Sequence, residues 1–347
     1  MGKRGHVAVV GAGSWGTAFA SVLAANHVPT LLWARRAELA REINSRHANQ
    51  PYLPDVPLPT TLRATADVEE AVGPAAVVVI AVPSHVLREK MKEMGPLISP
   101  DASVVSLTKG VEQDSLLRMS EVICEAGNVE PARAAAVSGP NLAKEVARGL
   151  PGATVVACSD SKRAERLQRL FHARTFRVYT NTDVCGVEIG GAAKNVVAIA
   201  AGIADGLGYG DNSKSALITR GLVEITRLAV ALGAQPLTMA GLAGIGDLVA
   251  TCMSKQSRNR FVGEELGKGR ALEEIIASMN MVAEGVKSSK SIPALAERHG
   301  VDMPIATRVR RVIHEGADAA AMVEELLTRD PEPEFLGIPH AGDPSRS

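Results

Sequence analysis

A lysine and an asparagine, Lys194 and Asn195, stand inside an otherwise apolar stretch, GGAAKNVVAIAAG. A lysine held among Gly, Ala, Val and Ile loses solvation, so its charged form is disfavoured. That suits a group that gives and takes a proton near neutral pH. The competing reading is a lysine whose stem lies along a helix while its head reaches water. Farther on, AGIGDLVATC supplies Asp247 and Thr251, four residues apart and so on one face of a helix. SKQSRNRF supplies Ser257, Arg258 and Asn259. A guanidinium is a natural partner for a phosphate dianion. Ser257 and Asn259 can complete its hydrogen bonds, or the same residues can form a polar helix-capping loop. Nearer the start, SLTKGVE places Lys109 just past a strand, and AVSGPNLAKE does the same with Gly139 and Asn141. Ligands of open α/β sheets gather at such strand ends. No cluster has the spacing of a metal site, so none is expected.

The segment VAVVGAGSWGTAFA, residues 7–20, supplies a second kind of chemistry. An apolar run stops at Gly11, Gly13 and Gly16, spaced G-x-G-x-x-G, and a helix-like segment follows. In that context the pattern marks a dinucleotide-binding turn. The first glycine makes the turn, the second admits the pyrophosphate, and the third lets helix and strand pack closely. The free N–H groups at the helix start then face the phosphates. The second strand ends LLWARRAE, so Arg35 and Arg36 stand where an acid would bind a ribose 2′-hydroxyl. Guanidinium pairs with a 2′-phosphate instead, which favours NADP with NAD tolerated.

These residues need a scaffold, and the chain spells one out. VAVV, PTLLWA (29–34), AVVVIAVP (76–83), SVVSLT (103–108), AAAVSG (134–139) and ATVVAC (153–158) read as strands, and TFRVYT (175–180) as an edge strand. Helix-like segments alternate with them, with Ser84 positioned to cap the one after AVVVIAVP. The expected fold is α/β: an N-terminal Rossmann domain with a doubly wound, mostly parallel sheet over 1–185. From Val184 onward every segment has helical period, which predicts an all-helical domain over 186–330. Residues 331–347 are rich in Pro and Gly and read as a flexible tail.

Composition narrows the function classes. Lys plus Arg and Asp plus Glu number 38 each, and aromatics are 3%, which argues against nucleic-acid binding by bulk charge or base stacking. Hydrophobic residues make up 46%, yet no apolar run is read as reaching the length of a membrane span. The four scattered cysteines read as reduced thiols of a cytoplasmic protein.

Taken together, GAGSWGTA, LPDVPLP, TKGVE, SGPNLAKE, GGAAKNVVAIAAGIADGLGYGDNSK, GLAGIGDLVATC, QSRNR and VAEG resemble NAD(P)-dependent glycerol-3-phosphate dehydrogenases, over about residues 6–330. The resemblance implies reversible reduction of dihydroxyacetone phosphate to sn-glycerol 3-phosphate for phospholipid synthesis, in a protein that is commonly a homodimer. It makes Lys194, Lys109 and Asp247 the catalytic group, with Lys194 as general acid or base. Substrate positions would be Lys109, Gly139, Asn141, Lys194, Asn195, Asp247, Thr251, Ser257, Arg258 and Asn259. Cofactor positions would be Gly11, Gly13, Ser14, Trp15, Gly16, Arg35, Arg36, Lys109, Ala143, Arg258, Val282 and Glu284. Asn141 departs from the Ser or Thr common in bacterial members, but an amide can both donate and accept there. Two other readings fit the same plan: a ketopantoate-reductase-like enzyme, whose substrate carries a carboxylate, and a silent NADPH-binding regulator.

Overall fold

The computed structural model describes residues 5–279, 283–328, 330, 333, 334 and 336–338, so most of the 331–347 tail lies outside the described residues. The chain forms two compact units, the first made of residues up to 112 and 117–184, the second of 113–116 and the residues from 185 on.

In the first unit strands and helices alternate: β1 (Val7–Val10), α1 (Ser14–Ala25), β2 (Thr30–Trp33), α2 (Ala37–Arg46), β3 (Arg63–Thr65), α3 (Val68–Val72), β4 (Val77–Ile80), α4 (Ser84–Met94), β5 (Ser103–Ser106), α5 (Met119–Gly127), β6 (Ala134–Ser138), α6 (Ala143–Ala147), β7 (Gly152–Cys158), α7 (Ser161–Phe171) and β8 (Phe176–Asn181). They build one eight-stranded sheet in the order β3-β2-β1-β4-β5-β6-β7-β8. Only the β6–β7 pair is antiparallel. The first six strands follow the dinucleotide-binding order. Both faces are covered. Val7, Val9 and Val79 pack into one core with Phe19 and Phe171, whereas Ala8, Val10 and Ile80 pack into another with Leu87 and Met91. This explains why β1 and β4 read as unbroken apolar runs rather than alternating ones.

Two details differ from the sequence expectation. Strand β3 is an addition to it; three residues with an exposed Arg63 give no periodicity to read. Ser84 is the first residue of α4 rather than its cap, which is Pro83.

The described residues of the second unit are helical, with no strand: α8 (Val184–Gly206, whose first residue closes the first unit), α9 (Asp211–Ala231), α10 (Asp247–Met253), α11 (Arg258–Gly267), α12 (Leu272–Ala277), α13 (Glu284–Arg298), α14 (Pro304–His314) and α15 (Ala319–Leu327). Helix α8 corrects another expectation. At 23 residues, with an 18-residue window of mean hydropathy 1.4, it is long and apolar enough to cross a membrane, but 89% of that window is buried within the protein. Its apolarity is that of a core helix.

Glu224 on α9 is buried, and it accepts hydrogen bonds from the backbone N–H groups of Ile305 (2.8 Å) and Ala306 (3.3 Å). These are first-turn donors of α14, so Glu224 supplies the cap that Met303 does not. Burial pushes its carboxyl up to about 8 from 4.5, against the opposing pull of the two N–H groups and Arg227. A folded-state value above the unfolded one means the folded protein holds a proton that the unfolded chain has lost. Stability from this group is therefore complete below about 4.5, declines as pH rises, and levels off above about 8. Melting temperature measured across that window should fall in the wild type. In Glu224→Gln it should stay flatter, and an identical slope in both proteins would assign the loss to another group.

Candidate functional site

In the first unit the candidate residues collect at the carboxyl ends of neighbouring strands. Gly11 has φ +118°, a conformation that disfavours any side chain, and a Cβ there would lie 2.6 Å from the carbonyl of Ala81. A Cβ on Gly16 would lie 2.0 Å from the carbonyl of Gly11, so this glycine sets how closely α1 approaches β1. Gly13 differs: nothing lies within 4 Å of its would-be Cβ, and it begins α1 with no side-chain cap. Bare backbone facing open space at a helix start is what an incoming pyrophosphate requires. The turn therefore fits a dinucleotide.

The two glycines should separate experimentally. Gly16→Ala is expected to lower the melting temperature, because α1 must move off the strand. Gly13→Ala should leave melting almost unchanged and raise the NADPH dissociation constant about tenfold or more, read by fluorescence titration.

Asn49, which sequence reasoning missed, holds this turn. It is fully buried and donates through Nδ2 to the carbonyl of Ala12 (3.0 Å) and to Oγ1 of Thr17 (2.8 Å). Its sequence surroundings, RHANQP, carry no periodic or motif signal. Ser14 donates to the carbonyl of Tyr52 at 2.7 Å, and the exposed Arg36 lies over the Tyr52 ring at 5.9 Å. Arg35 is also exposed just past β2. Trp15 and Ala143 pack on the apolar cluster around Ala18 and Leu53, and the Trp15 ring meets Phe19 edge-on. Beyond β5 and β6, Lys109 Nζ donates to the carbonyl of Gly139 at 3.2 Å. Gly139 has φ +151°, and Thr154 leaves it little room for a side chain. Asn141 donates through Nδ2 to Thr154 Oγ1 at 2.9 Å, while its buried Oδ1 has no hydrogen-bond partner among the described residues.

In the second unit Lys194 is buried on α8, but its surroundings are not apolar. Its Nζ donates to Asp247 Oδ1 and to Thr251 Oγ1, both at 2.6 Å. Thr251 in turn donates to the carbonyl of Asp247, one turn earlier on α10, at 2.7 Å. That commits the hydroxyl proton and leaves its oxygen to accept from the ammonium. The expectation of an apolar shell around the lysine is thus corrected: a buried carboxylate and a hydroxyl stand against its ammonium. Local packing explains the pairing. Gly190 lies one turn before Lys194, and its would-be Cβ would lie 2.5 Å from the carbonyl of Ala243, one turn before Asp247. The backbones touch there, and the ion pair forms one turn further on.

Helices α8 and α11 also meet through glycine. A Cβ on Gly202 would lie 2.1 Å from the carbonyl of Arg260, and one on Gly263 would lie 1.9 Å from that of Ile199. The start of α11 is held by Ser257, whose Oγ accepts from the Arg260 N–H at 3.2 Å. Ser257 is therefore engaged as a cap. Arg258 is the first helical residue and is exposed. The surrounding protein pulls its pKa down and Glu284 pulls it up; with solvent still reaching it, the guanidinium stays charged. Asn259 is buried and bridges Asn195 to the N–H of Gly285. Val282 lies outside the described residues.

Comparison with known proteins adds the following. Residues 6–164 match the family model described as NAD-dependent glycerol-3-phosphate dehydrogenase N-terminus, and residues 183–324 match its C-terminus counterpart. A Streptomyces coelicolor protein named glycerol-3-phosphate dehydrogenase, NAD(P)+, is 54% identical over 334 residues, covering 96% of this chain and 99% of that one. A crystal structure of glycerol-3-phosphate dehydrogenase from Coxiella burnetii is similar with a TM-score of 0.89 at 40% identity, covering 94% of this chain and 99% of that one. A ketopantoate reductase structure from Ralstonia eutropha reaches a TM-score of 0.57 at 18% identity, covering 93% of this chain and 99% of that one, a likeness of fold alone.

Proposed function

The chain belongs to the NAD-dependent glycerol-3-phosphate dehydrogenase family, and from that premise we propose that it interconverts dihydroxyacetone phosphate and sn-glycerol 3-phosphate, with NADPH preferred over NADH. When bound, the reduced nicotinamide supplies a hydride to the ketone carbon. The work left to the protein is electrostatic: negative charge grows on the carbonyl oxygen as the hydride arrives and must be stabilised and protonated. Lys194 takes that role, cationic in the reductive direction and a base in the oxidative one. The observation that carries this reading is its buried contact with Asp247 and Thr251. A charged ammonium fixed by two helix-borne partners is preorganised, so little reorganisation is needed when the oxyanion forms.

Arg258 anchors the phosphate, a role supported by its charge and its place at a helix start. Lys109, Gly139 and Asn141 contact the substrate from the loops after β5 and β6. The orphaned Oδ1 of Asn141 supports a ligand hydroxyl donating to it. Asn195 contributes a further substrate contact beside Lys194. NADP preference is supported by the exposed Arg35 and Arg36. A homodimer without nucleic-acid partners, resident in the cytoplasm and feeding glycerophospholipid synthesis, completes the reading.

The test is cofactor oxidation followed at its absorbance band, with NADPH or NADH and with dihydroxyacetone phosphate or dihydroxyacetone. Rapid oxidation with the phosphorylated ketone alone is the expected result, and faster with NADPH. Equal rates with both ketones, or activity confined to 2-keto acids, would overturn it. Sedimentation of the same protein checks the dimer.

A further inference from the structure

The loop that leaves β5 carries Lys109, and its path is fixed on both sides of that residue. Before it, the Leu107 N–H donates to the carbonyl of Ile80 (2.8 Å) and Thr108 Oγ1 donates to that of Val82 (2.7 Å). After it, the loop runs along α4. A Cβ on Gly110 would lie 2.9 Å from the Cβ of Ser84, so the backbone passes the start of that helix with no room for a side chain. Arg88 stands four residues on, one turn further along the same helix face. It takes hold of Glu112.

The hold is strong in geometry. Nε of Arg88 donates to both carboxylate oxygens of Glu112, at 2.9 and 3.0 Å, and Nη2 adds a bond at 2.8 Å. Nη1 donates to Glu125 on α5 at 2.6 Å, so the guanidinium ties the loop to two helices at once. The Arg88 and Glu112 side chains are 25% and 15% exposed, which shields the pair from much of the screening that weakens surface ion pairs. A planar guanidinium on a carboxylate fixes direction as well as distance. The Glu112 N–H also donates to the carbonyl of Leu117 at 2.9 Å.

Between the pin at Thr108 and the clamp at Glu112 lie Lys109, Gly110 and the buried Val111. A lysine ammonium rides on a flexible four-carbon stem, so its place is only as well defined as the backbone that carries it. We infer that Arg88 is a positioning residue: by clamping Glu112 against α4 it fixes the loop from which Lys109 reaches the carbonyl of Gly139 and the substrate. The inference rests on the functional reading above, in which Lys109 contacts the substrate, and deepens it.

A double-mutant cycle tests it. The kcat and KM for dihydroxyacetone phosphate are measured at saturating NADPH for the wild type, Arg88→Met, Lys109→Ala and the pair, together with the melting temperature of each. Arg88→Met is expected to lower kcat/KM about tenfold or more, because a small misplacement of a contact group is costly. In the Lys109→Ala background the same change should cost less than about twofold, since no ammonium remains to be placed. Melting should behave differently: Arg88→Met should lower it by the same amount in both backgrounds, because the ion pair stabilises the loop whether or not Lys109 is present. If Arg88→Met fails to fold, Glu112→Gln takes its place, because it keeps the shape of the side chain and loses the charge that holds the guanidinium. A full effect on kcat/KM in the Lys109→Ala background would make the clamp a support of the fold in general and overturn the inference alone. An active enzyme indifferent to the loss of Arg88 would overturn it too. A wild type silent toward dihydroxyacetone phosphate would strike the functional reading first, and the inference with it.

Discussion

Lys194→Ala should abolish ketone reduction, lowering kcat by about 10³-fold or more while NADPH still binds. The expectation combines two losses, the proton and the fixed positive charge beside the developing oxyanion. A bare loss of activity would be ambiguous, however. Removing Lys194 takes the ammonium from Asp247, whose side chain is only 3% exposed. Breaking a buried ion pair by removing one partner costs about 3–5 kcal/mol. The single variant should therefore also melt earlier, and a sceptic could blame unfolding. The double variant Lys194→Met, Asp247→Leu separates the two. It replaces a buried ion pair by apolar groups of similar volume, a change that is often neutral or stabilising. Melting should return to near the wild-type value, and turnover should not. If the double variant, or Lys194→Ala itself, reduced dihydroxyacetone phosphate at near-normal rates, the proton role would have to move to another group.

That pair also shows how far the sequence carries. The sheet was legible because β1 and β4 are buried on both faces, and four consecutive apolar residues can announce themselves. The glycine turn was legible because its constraints are local: Gly16 must pass the carbonyl of Gly11, five residues away. The electrostatics of Lys194 were not. Its partners, Asp247 and Thr251, are 53 and 57 residues away, so a window around GGAAKNVV contains only apolar neighbours and suggests a discharged lysine. The same distance hid Asn49, which reaches 37 residues back to hold Ala12. It also hid the bridge that Asn259 makes between Asn195, 64 residues back, and the N–H of Gly285. At SRNR, residue types pointed to a phosphate site but did not exclude a capping loop. The structure gives Ser257 to the cap.

Arg258→Met should raise KM for dihydroxyacetone phosphate and lower kcat/KM by about 10²–10³-fold, with little change in melting temperature. The stability side follows from its place in α11. A cation at the first position of a helix faces the positive end of the helix dipole, so it costs the helix rather than stabilising it. Ser257 already satisfies the orphan N–H of Arg260 without it. For a dianion the same place is favourable twice over, through the guanidinium and through the helix start. The phosphate is remote from the reacting carbon, so its binding energy acts by orienting a small substrate. The decisive quantity is therefore the ratio of kcat/KM for dihydroxyacetone phosphate to that for dihydroxyacetone. In the wild type it should be large; in Arg258→Met it should shrink toward one, because the variant can no longer sense the phosphate. A ratio unchanged by the substitution would place the phosphate on another cation, and Lys109 would be the first to examine.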